Sequence, residues 1–135
     1  MKKVFLEIIN WTWCLPQNIV GFFVKLFLKG YKVGTYKNAN LYVCNLRGGA
    51  ISLGKYLLFS QKEFSNIQTI KHEYGHFLQS LMLGWVYLLV VGFPSFLWAN
   101  LKYFDKYRCK KKISYFDRYP ENWADKLGGV KRKWK

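Results

Sequence analysis

The sequence predicts an α+β protein that is mostly helical, with a small antiparallel sheet before a histidine-bearing helix and a membrane-associated apolar segment after it. Apolar residues make up 51% of the chain and aromatic residues 20%, which suits a packed core. Short runs rich in β-branched and aromatic residues lie between residues 40 and 59, whereas the flanking stretches have helical character. At 135 residues, the chain is expected to form a single domain, 1–135.

The chain is strongly basic, with 22 Lys and Arg against 7 Asp and Glu and a net charge of +15. Such an excess favours an anionic partner, which is either nucleic acid or an acidic membrane surface. The cysteines Cys14, Cys44 and Cys109 are odd in number, widely spaced and form no CxxC pair. They predict reduced thiols of an intracellular protein, neither a disulfide framework nor a metal knuckle.

Residues 4–29 predict two N-terminal apolar helices. The first spans about 4–13 and ends near Pro16, because proline disfavours a helical conformation in the residue before it. The second, QNIVGFFVKLFLKG, is either a core helix or an interfacial one. The opening stretch is similar to a secretion signal, but Glu7 and Asn10 interrupt it and no small-residue cleavage site follows. We therefore expect it to be retained in the mature protein.

Residues 40–59 predict a strand pair. One strand spans about 40–46 and the other 50–59, and the Arg-Gly-Gly turn signal at 47–49 separates them. If the strand 50–59 forms the edge of the sheet, it can align an extended peptide by strand addition.

The two histidines of the chain, His72 and His76, lie on a helix predicted over 65–83, with Ser65 or Asn66 as its cap. Residues four apart share one helix face, with Cβ atoms about 5–6 Å apart, so both imidazoles can bind one metal ion. Glu73 projects to the side, where a general base for a metal-bound water is needed. This is the HExxH pattern of zinc hydrolases.

A catalytic zinc takes three protein ligands and leaves a fourth position for water. With no third histidine and no cysteine nearby, the remaining ligand is expected to be a carboxylate. Glu121 and Asp125 lie four apart on a short helix predicted over 119–129, before the basic tail KRKWK. One of them can bind the metal while the other accepts the free N–H of a ligating histidine. The alternative is two surface acids in a lysine-rich region.

The two motifs HEYGH (72–76) and ENWAD (121–125) together resemble the gluzincin arrangement of integral-membrane zinc endopeptidases. These are the prenyl-protein-processing proteases and the bacterial heat-shock membrane protease. The resemblance covers about residues 38–128, with specific identity confined to the two motifs. It implies a zincin-like minimal metallopeptidase domain that binds Zn²⁺. The implied roles are His72, His76 and Glu121 as zinc ligands, Glu73 as the base and Asp125 as the acceptor of a histidine N–H.

The chain departs from that family in being far shorter and in having no spare histidine to stabilise a tetrahedral intermediate. The candidates for that role are Tyr115, Arg118, Tyr119 and Lys126. The leading hypothesis is a membrane-associated zinc metallopeptidase that acts on a peptide or protein. The alternatives are a non-catalytic, metal-stabilised membrane protein and a basic nucleic-acid-binding protein. The last is disfavoured because the basic residues form no recognisable binding motif with the aromatics.

The apolar segment 81–99 contains 18 residues without a charge, 81–98, which reaches the length of a membrane span. Trp85 and Trp98 lie towards its ends, and the basic run KYFDKYRCKKK follows. A single span would separate the histidines from Glu121. We therefore expect a monotopic or re-entrant attachment that turns at 92–95 and leaves the site facing the cytoplasm. The alternatives are a buried helical hairpin and a soluble cytoplasmic protein.

Overall fold

The computed structural model describes residues 2–131, so residues 132–135 of the predicted basic tail lie outside the described part. Within it, six α-helices accompany one four-stranded sheet. The helices are α1 (Lys2–Thr12), α2 (Leu15–Phe27), α3 (Ile67–Leu83), α4 (Phe93–Asn100), α5 (Lys102–Lys111) and α6 (Glu121–Gly128). The strands are β1 (Tyr31–Tyr36), β2 (Ala39–Val43), β3 (Ala50–Leu53) and β4 (Tyr56–Phe59).

The sheet is mixed, in the order β1-β2-β4-β3, so the predicted antiparallel strand pair is wrong. β2 pairs in parallel with β4, while β1–β2 and β3–β4 are antiparallel. The predicted strand 50–59 is in fact the hairpin β3–β4, which reverses at Gly54 and Lys55. Gly54 has a φ of +61°, the conformation that a type II′ turn requires at its first central position.

β4 is a central strand, and all four of its residues are buried. Because successive side chains of a strand point to opposite faces, Leu57 and Phe59 pack against α3 while Tyr56 and Leu58 face α2. A strand covered on both faces has a continuous apolar run without alternation. The sheet therefore lies between α2 and α3, and α3 is fixed on it by a cluster that includes Ile70, Tyr74 and Phe77.

The apolar segment 81–99 is not one element. α3 ends before Gly84, whose φ of +57° breaks the helix, and a 3₁₀ turn, a π-helical turn (Leu88–Gly92) and α4 follow. Residues 92–95, the predicted turn, are helical. In the described range no helix combines the length and the apolar character needed to cross a bilayer. The predicted fold class is therefore wrong in its small antiparallel sheet and in its apolar segment 81–99 as one element; the protein is α+β, as predicted, with a mixed sheet.

The N-terminal region forms two helices, and Pro16 lies in the first turn of α2, where its missing N–H costs nothing. α1 ends at Thr12, before the proline. The three cysteines are free thiols; Cys14 and Cys44 are buried and Cys109 is exposed.

α6 packs directly on α3 because two glycines leave no side chain between the backbones. A Cβ on Gly75 of α3 would lie 1.9 Å from the carbonyl oxygen of Ala124, and one on Gly128 of α6 would lie 1.9 Å from that of Lys71. Both contacts are with backbone atoms, which cannot move aside as a flexible side chain can. The close approach of the two helices thus requires glycine at both positions.

We predict that Gly75→Ala lowers the free energy of unfolding by about 1–3 kcal/mol or more, because the added methyl forces the two helices apart. Urea unfolding followed by circular dichroism measures the change. The matched control is Gly48→Ala, where nothing lies within 4 Å of the added Cβ, and it should leave stability unchanged or slightly raised. Equal stability of Gly75→Ala and wild type would contradict the direct packing of α6 on α3.

Candidate metal centre

The two histidines project from the buried face of α3. The helix begins at the N-cap Asn66, whose side chain accepts a hydrogen bond from the Gln68 N–H at 3.1 Å. His72 and His76 follow on the side that faces α6, only 3% and 5% exposed. Their rings lie edge to face with centroids 4.9 Å apart, as expected for residues four apart on one helix face.

Glu121, the first residue of α6, brings a carboxylate to both imidazoles. Its Oε2 lies 2.8 Å from His72 Nε2 and 3.0 Å from His76 Nε2. The three ligand atoms lie within 4.8 Å of one another. Zinc bonds of about 2.0–2.1 Å at tetrahedral angles put ligand atoms about 3.3 Å apart. The two separations from Glu121 Oε2 are therefore a few tenths of an ångström shorter than zinc needs, so these residues could hold a zinc ion after small outward shifts of the carboxylate.

Each histidine is held through its other ring nitrogen. His72 Nδ1 is 2.6 Å from Asp125 Oδ1, and His76 Nδ1 is 2.7 Å from Gln79 Oε1. With Nδ1–H donating to these acceptors, both Nε2 atoms are left as the unprotonated nitrogens that a metal ion needs. The Gln79 side chain also donates from Nε2 to the Pro120 carbonyl at 3.2 Å, which links this positioning contact to the start of α6.

Glu73 lies beside the two imidazoles and is 6% exposed. Burial raises the pKa of its carboxyl, and the positive charge of His72 and His76 offsets part of that rise. Glu73 makes no hydrogen bond to either histidine among the contacts of the described residues, so its carboxylate is distinct from the ligand set. Glu73 thus belongs to the same buried cluster, but the hydrogen-bond partners of the imidazoles are other residues.

The electrostatics of the cluster favour a positive charge at the imidazoles. Burial alone would lower the pKa of His72, but hydrogen bonds with Asp125 and Glu121 and the nearby charge of Glu73 raise it to about 10. Burial would likewise raise the pKa of Glu121, yet its hydrogen bonds with the histidines and Ser95 hold it below the usual range. A field that stabilises an imidazolium also stabilises a metal cation at the same nitrogens.

Side chains from α4 and from residues 115–116 lie next to Glu121 and His72. Ser95 of α4 donates a hydrogen bond from Oγ to Glu121 Oε1. The hydroxyl of Tyr115 lies within hydrogen-bonding reach of both Ser95 and Glu121, and burial raises its pKa. Phe116 packs edge-on against the His72 ring at 5.1 Å between centroids.

Four residues were predicted from the sequence as candidates for stabilising a tetrahedral intermediate, and the structure places them differently. Tyr115 is the one that reaches Glu121. Tyr119 is 48% exposed, and its hydroxyl donates to the Val90 carbonyl. Arg118 and Lys126 are exposed. Only Tyr115 therefore combines burial with a contact to the proposed ligand set.

Two residues of the site were not identified from the sequence. Gln79 lies three residues after His76 on the same helix face, so the spacing rule that paired the histidines would have found it. Ser95 carries no local signal, because its contact with Glu121 depends on how α4 folds back over the site.

Comparison of the chain with protein-family models, with curated proteins and with solved structures gives no significant match.

We predict that Gln79→Leu lowers zinc affinity about 10–100-fold, because it removes the acceptor that fixes the His76 tautomer. Competition with a chromophoric chelator measures the affinity. Gln79→Glu keeps an oxygen acceptor and should restore most of it, while Gln61→Ala, at an exposed loop position, is the control. Wild-type affinity in Gln79→Leu would show that His76 needs no such partner.

Proposed function

We propose that the protein is a zinc-dependent metallopeptidase that hydrolyses peptide bonds. The observation that carries the proposal is the convergence of His72 Nε2, His76 Nε2 and Glu121 Oε2, with Glu73 beside them as a carboxylate outside the ligand set. Zinc held by such a set supplies Lewis acidity and lowers the pKa of a coordinated water to about 7. The resemblance of the two motifs to gluzincins supports the same chemistry.

In this proposal Glu73 is the general base. A base works best when its pKa is close to the operating pH, and burial moves the pKa of Glu73 upwards from the ordinary carboxyl value. It accepts the proton of the attacking water and passes it to the leaving amine. Asp125 and Gln79 hold the imidazoles in place and take no part in proton transfer.

Tyr115 is the residue that we propose for stabilising negative charge on the substrate carbonyl oxygen. Its hydroxyl is a hydrogen-bond donor close to Glu121, and burial moves its pKa further above the neutral range. A preformed donor in a site shielded from water stabilises developing charge more strongly than solvent does.

For the substrate, we propose an extended peptide bound along β3. β3 is an edge strand in the order β1-β2-β4-β3, and α3 packs against it. One outward carbonyl, that of Ser52, already accepts a hydrogen bond from the Tyr87 hydroxyl at 3.3 Å. Strand addition therefore uses the remaining edge groups or displaces Tyr87.

A second candidate, a metal site that serves only to hold the fold together, is favoured by burial. The side chains of His72, His76, Glu73 and Glu121 are all at most 6% exposed. A closed structural site ties α3 to α6 and needs no route for a substrate. The two candidates differ in what Glu73 does, because only a peptidase needs it.

We propose that the protein acts at the cytoplasmic face of a membrane. The net charge of +15 supports this location, since the cytoplasmic leaflet is rich in anionic lipid. Helix α5 supports it too, with exposed Lys102, Lys106, Lys110 and Lys111. The alternative is a cytoplasmic protein without attachment.

We predict one zinc per chain in the purified protein, and loss of stoichiometric zinc in His76→Ala and in Glu121→Ala, each of which removes one of three ligands. Elemental analysis by mass spectrometry after exhaustive dialysis measures the content. Glu63→Ala, which removes a half-buried carboxylate away from the cluster, is the control. Undiminished zinc in Glu121→Ala would exclude Glu121 as a ligand.

Glu73→Gln separates the two candidate functions. The amide cannot accept the proton, so hydrolysis of a quenched-fluorescent peptide library should fall by about 10²-fold or more. Zinc content should stay at the wild-type level, because Glu73 is not a ligand. Turnover at the wild-type rate in this variant would exclude Glu73 as the general base. Absence of turnover in zinc-loaded wild type, together with a large drop in melting temperature on chelation, would favour the structural site.

A further inference from the structure

The helices α1 and α2 bury polar residues and expose apolar ones. The buried residue of α1 is Asn10, and those of α2 are Gln17, Asn18 and Gly21. Gln17 donates to Ser80 Oγ at 2.6 Å and to the Gly84 carbonyl at 3.0 Å. Gln17 thus links α2 to the end of α3, and the Asn18 side chain donates to the Asn10 carbonyl of α1. A surface helix of a protein in water normally turns its polar side chains outward and its apolar side chains towards the core.

Their apolar side chains point outward at helical spacing. On α1, Val4 (64%), Ile8 (56%) and Trp11 (44%) are exposed at i, i+4 and i+7. On α2, Ile19 (44%), Phe23 (63%), Leu26 (54%) and Phe27 (86%) are exposed at i, i+4, i+7 and i+8. Phe5, Val20 and Phe22 are exposed outside this spacing. We call the seven residues at these spacings the outer face. Exposed apolar patches of this extent are rare on monomers in water and mark a binding surface.

The outer face continues onto the apolar region that follows α3. Trp13 donates from Nε1 to the Leu81 carbonyl at 3.0 Å, and Trp85 donates to the Thr12 carbonyl at 2.8 Å. Trp85 itself remains 60% exposed. Both indole N–H groups are satisfied while the rings stay at the surface, which is the arrangement of tryptophans at a membrane interface.

The charge around the outer face is positive. Lys2, Lys3 and Lys29 are exposed on or beside the two helices. The one acid of this region, Glu7, is paired with Lys55 Nζ at 3.1 Å. An apolar face bordered by unneutralised lysines is complementary to a lipid surface with anionic headgroups.

We propose that the outer face of α1 and α2 lies in the interface of a bilayer that contains anionic lipid. This extends the proposed membrane location to a defined surface, and it does not depend on the metal chemistry. A second copy of the chain fits the face less well, because two surfaces of the same positive charge repel each other. Nucleic acid offers phosphates for the lysines but no extended apolar surface for the aliphatic members of the face.

Co-sedimentation of the full chain with vesicles tests the proposal. Phosphatidylcholine vesicles that contain phosphatidylglycerol should bind the protein, and vesicles of phosphatidylcholine alone should bind it far more weakly. The combined Phe23→Ser and Phe27→Ser variant should lose binding by at least about 10-fold. Replacing Lys3 and Lys29 by Gln should lose about 5-fold for each lysine and reduce the salt dependence.

The matched control is Ile67→Ser, since Ile67 is 50% exposed at the start of α3. The length of that helix puts it about 24 Å from the end that contacts Trp13, and its vesicle binding should equal that of wild type. His76→Ala, in which the zinc site is lost, should also bind as wild type does, so failure of the metal chemistry leaves this result intact.

Three outcomes would overturn the proposal. One is equal binding of wild type and the Phe23, Phe27 variant to anionic vesicles, with both shown to be folded by circular dichroism. Another is a dimer in sedimentation equilibrium that the same variant dissociates, which would assign the face to a second copy. The third is binding to a single-stranded oligonucleotide that the variant loses while vesicles bind neither protein.

Discussion

The candidate site depends on the packing of α6 against α3 with no side chain between them. Gly75 lies between His72 and His76 in α3. A methyl group there would lie 1.9 Å from the Ala124 carbonyl oxygen. That close approach puts the Glu121 carboxylate within 3.0 Å of both imidazoles and Asp125 within 2.6 Å of one. If the helices were separated by the thickness of one side chain, the histidines would lose their contacts with Glu121, the proposed third ligand, and with Asp125 together.

The same packing explains why so many ionisable groups are buried in one place. Three carboxylates, Glu73, Glu121 and Asp125, lie with the two histidines at no more than 8% exposure. Burying a charge is expensive unless a partner of opposite charge lies in contact with it. Two protonated imidazoles would offset two of the three negative charges, and a dication at their Nε2 atoms would offset the same two charges while the rings stay neutral. The proposed metal ion is therefore compatible with the charge of this cluster.

Helix caps and the spacing of residues along the sequence predicted the elements that depend on neighbouring residues alone. The cap at Asn66 and the four-residue intervals of the motifs put α3, α6 and the site residues in the right elements. Spacing did not show that residues 50–59 reverse at Gly54, since an isolated glycine in an apolar run also fits a continuous strand. Nor did it predict β1 or the parallel pairing of β2 with β4, which depend on contacts between distant segments. The contact of Ser95 with Glu121 joins residues 26 apart in the chain, which no local spacing predicts.

Counting apolar residues misjudged the segment 81–99 because hydropathy does not show where the backbone breaks. α3 ends before Gly84, and the short helical segments that follow bury some of their apolar side chains and expose others. Val91 and Trp98 are buried, while Leu89, Phe93 and Phe96 are 58–74% exposed. α4 thus contacts Glu121 through Ser95 on one side and exposes Phe93 and Phe96 on the other. The apolar composition that suggested a span therefore belongs to short helical pieces, one of which, α4, contacts the candidate metal centre.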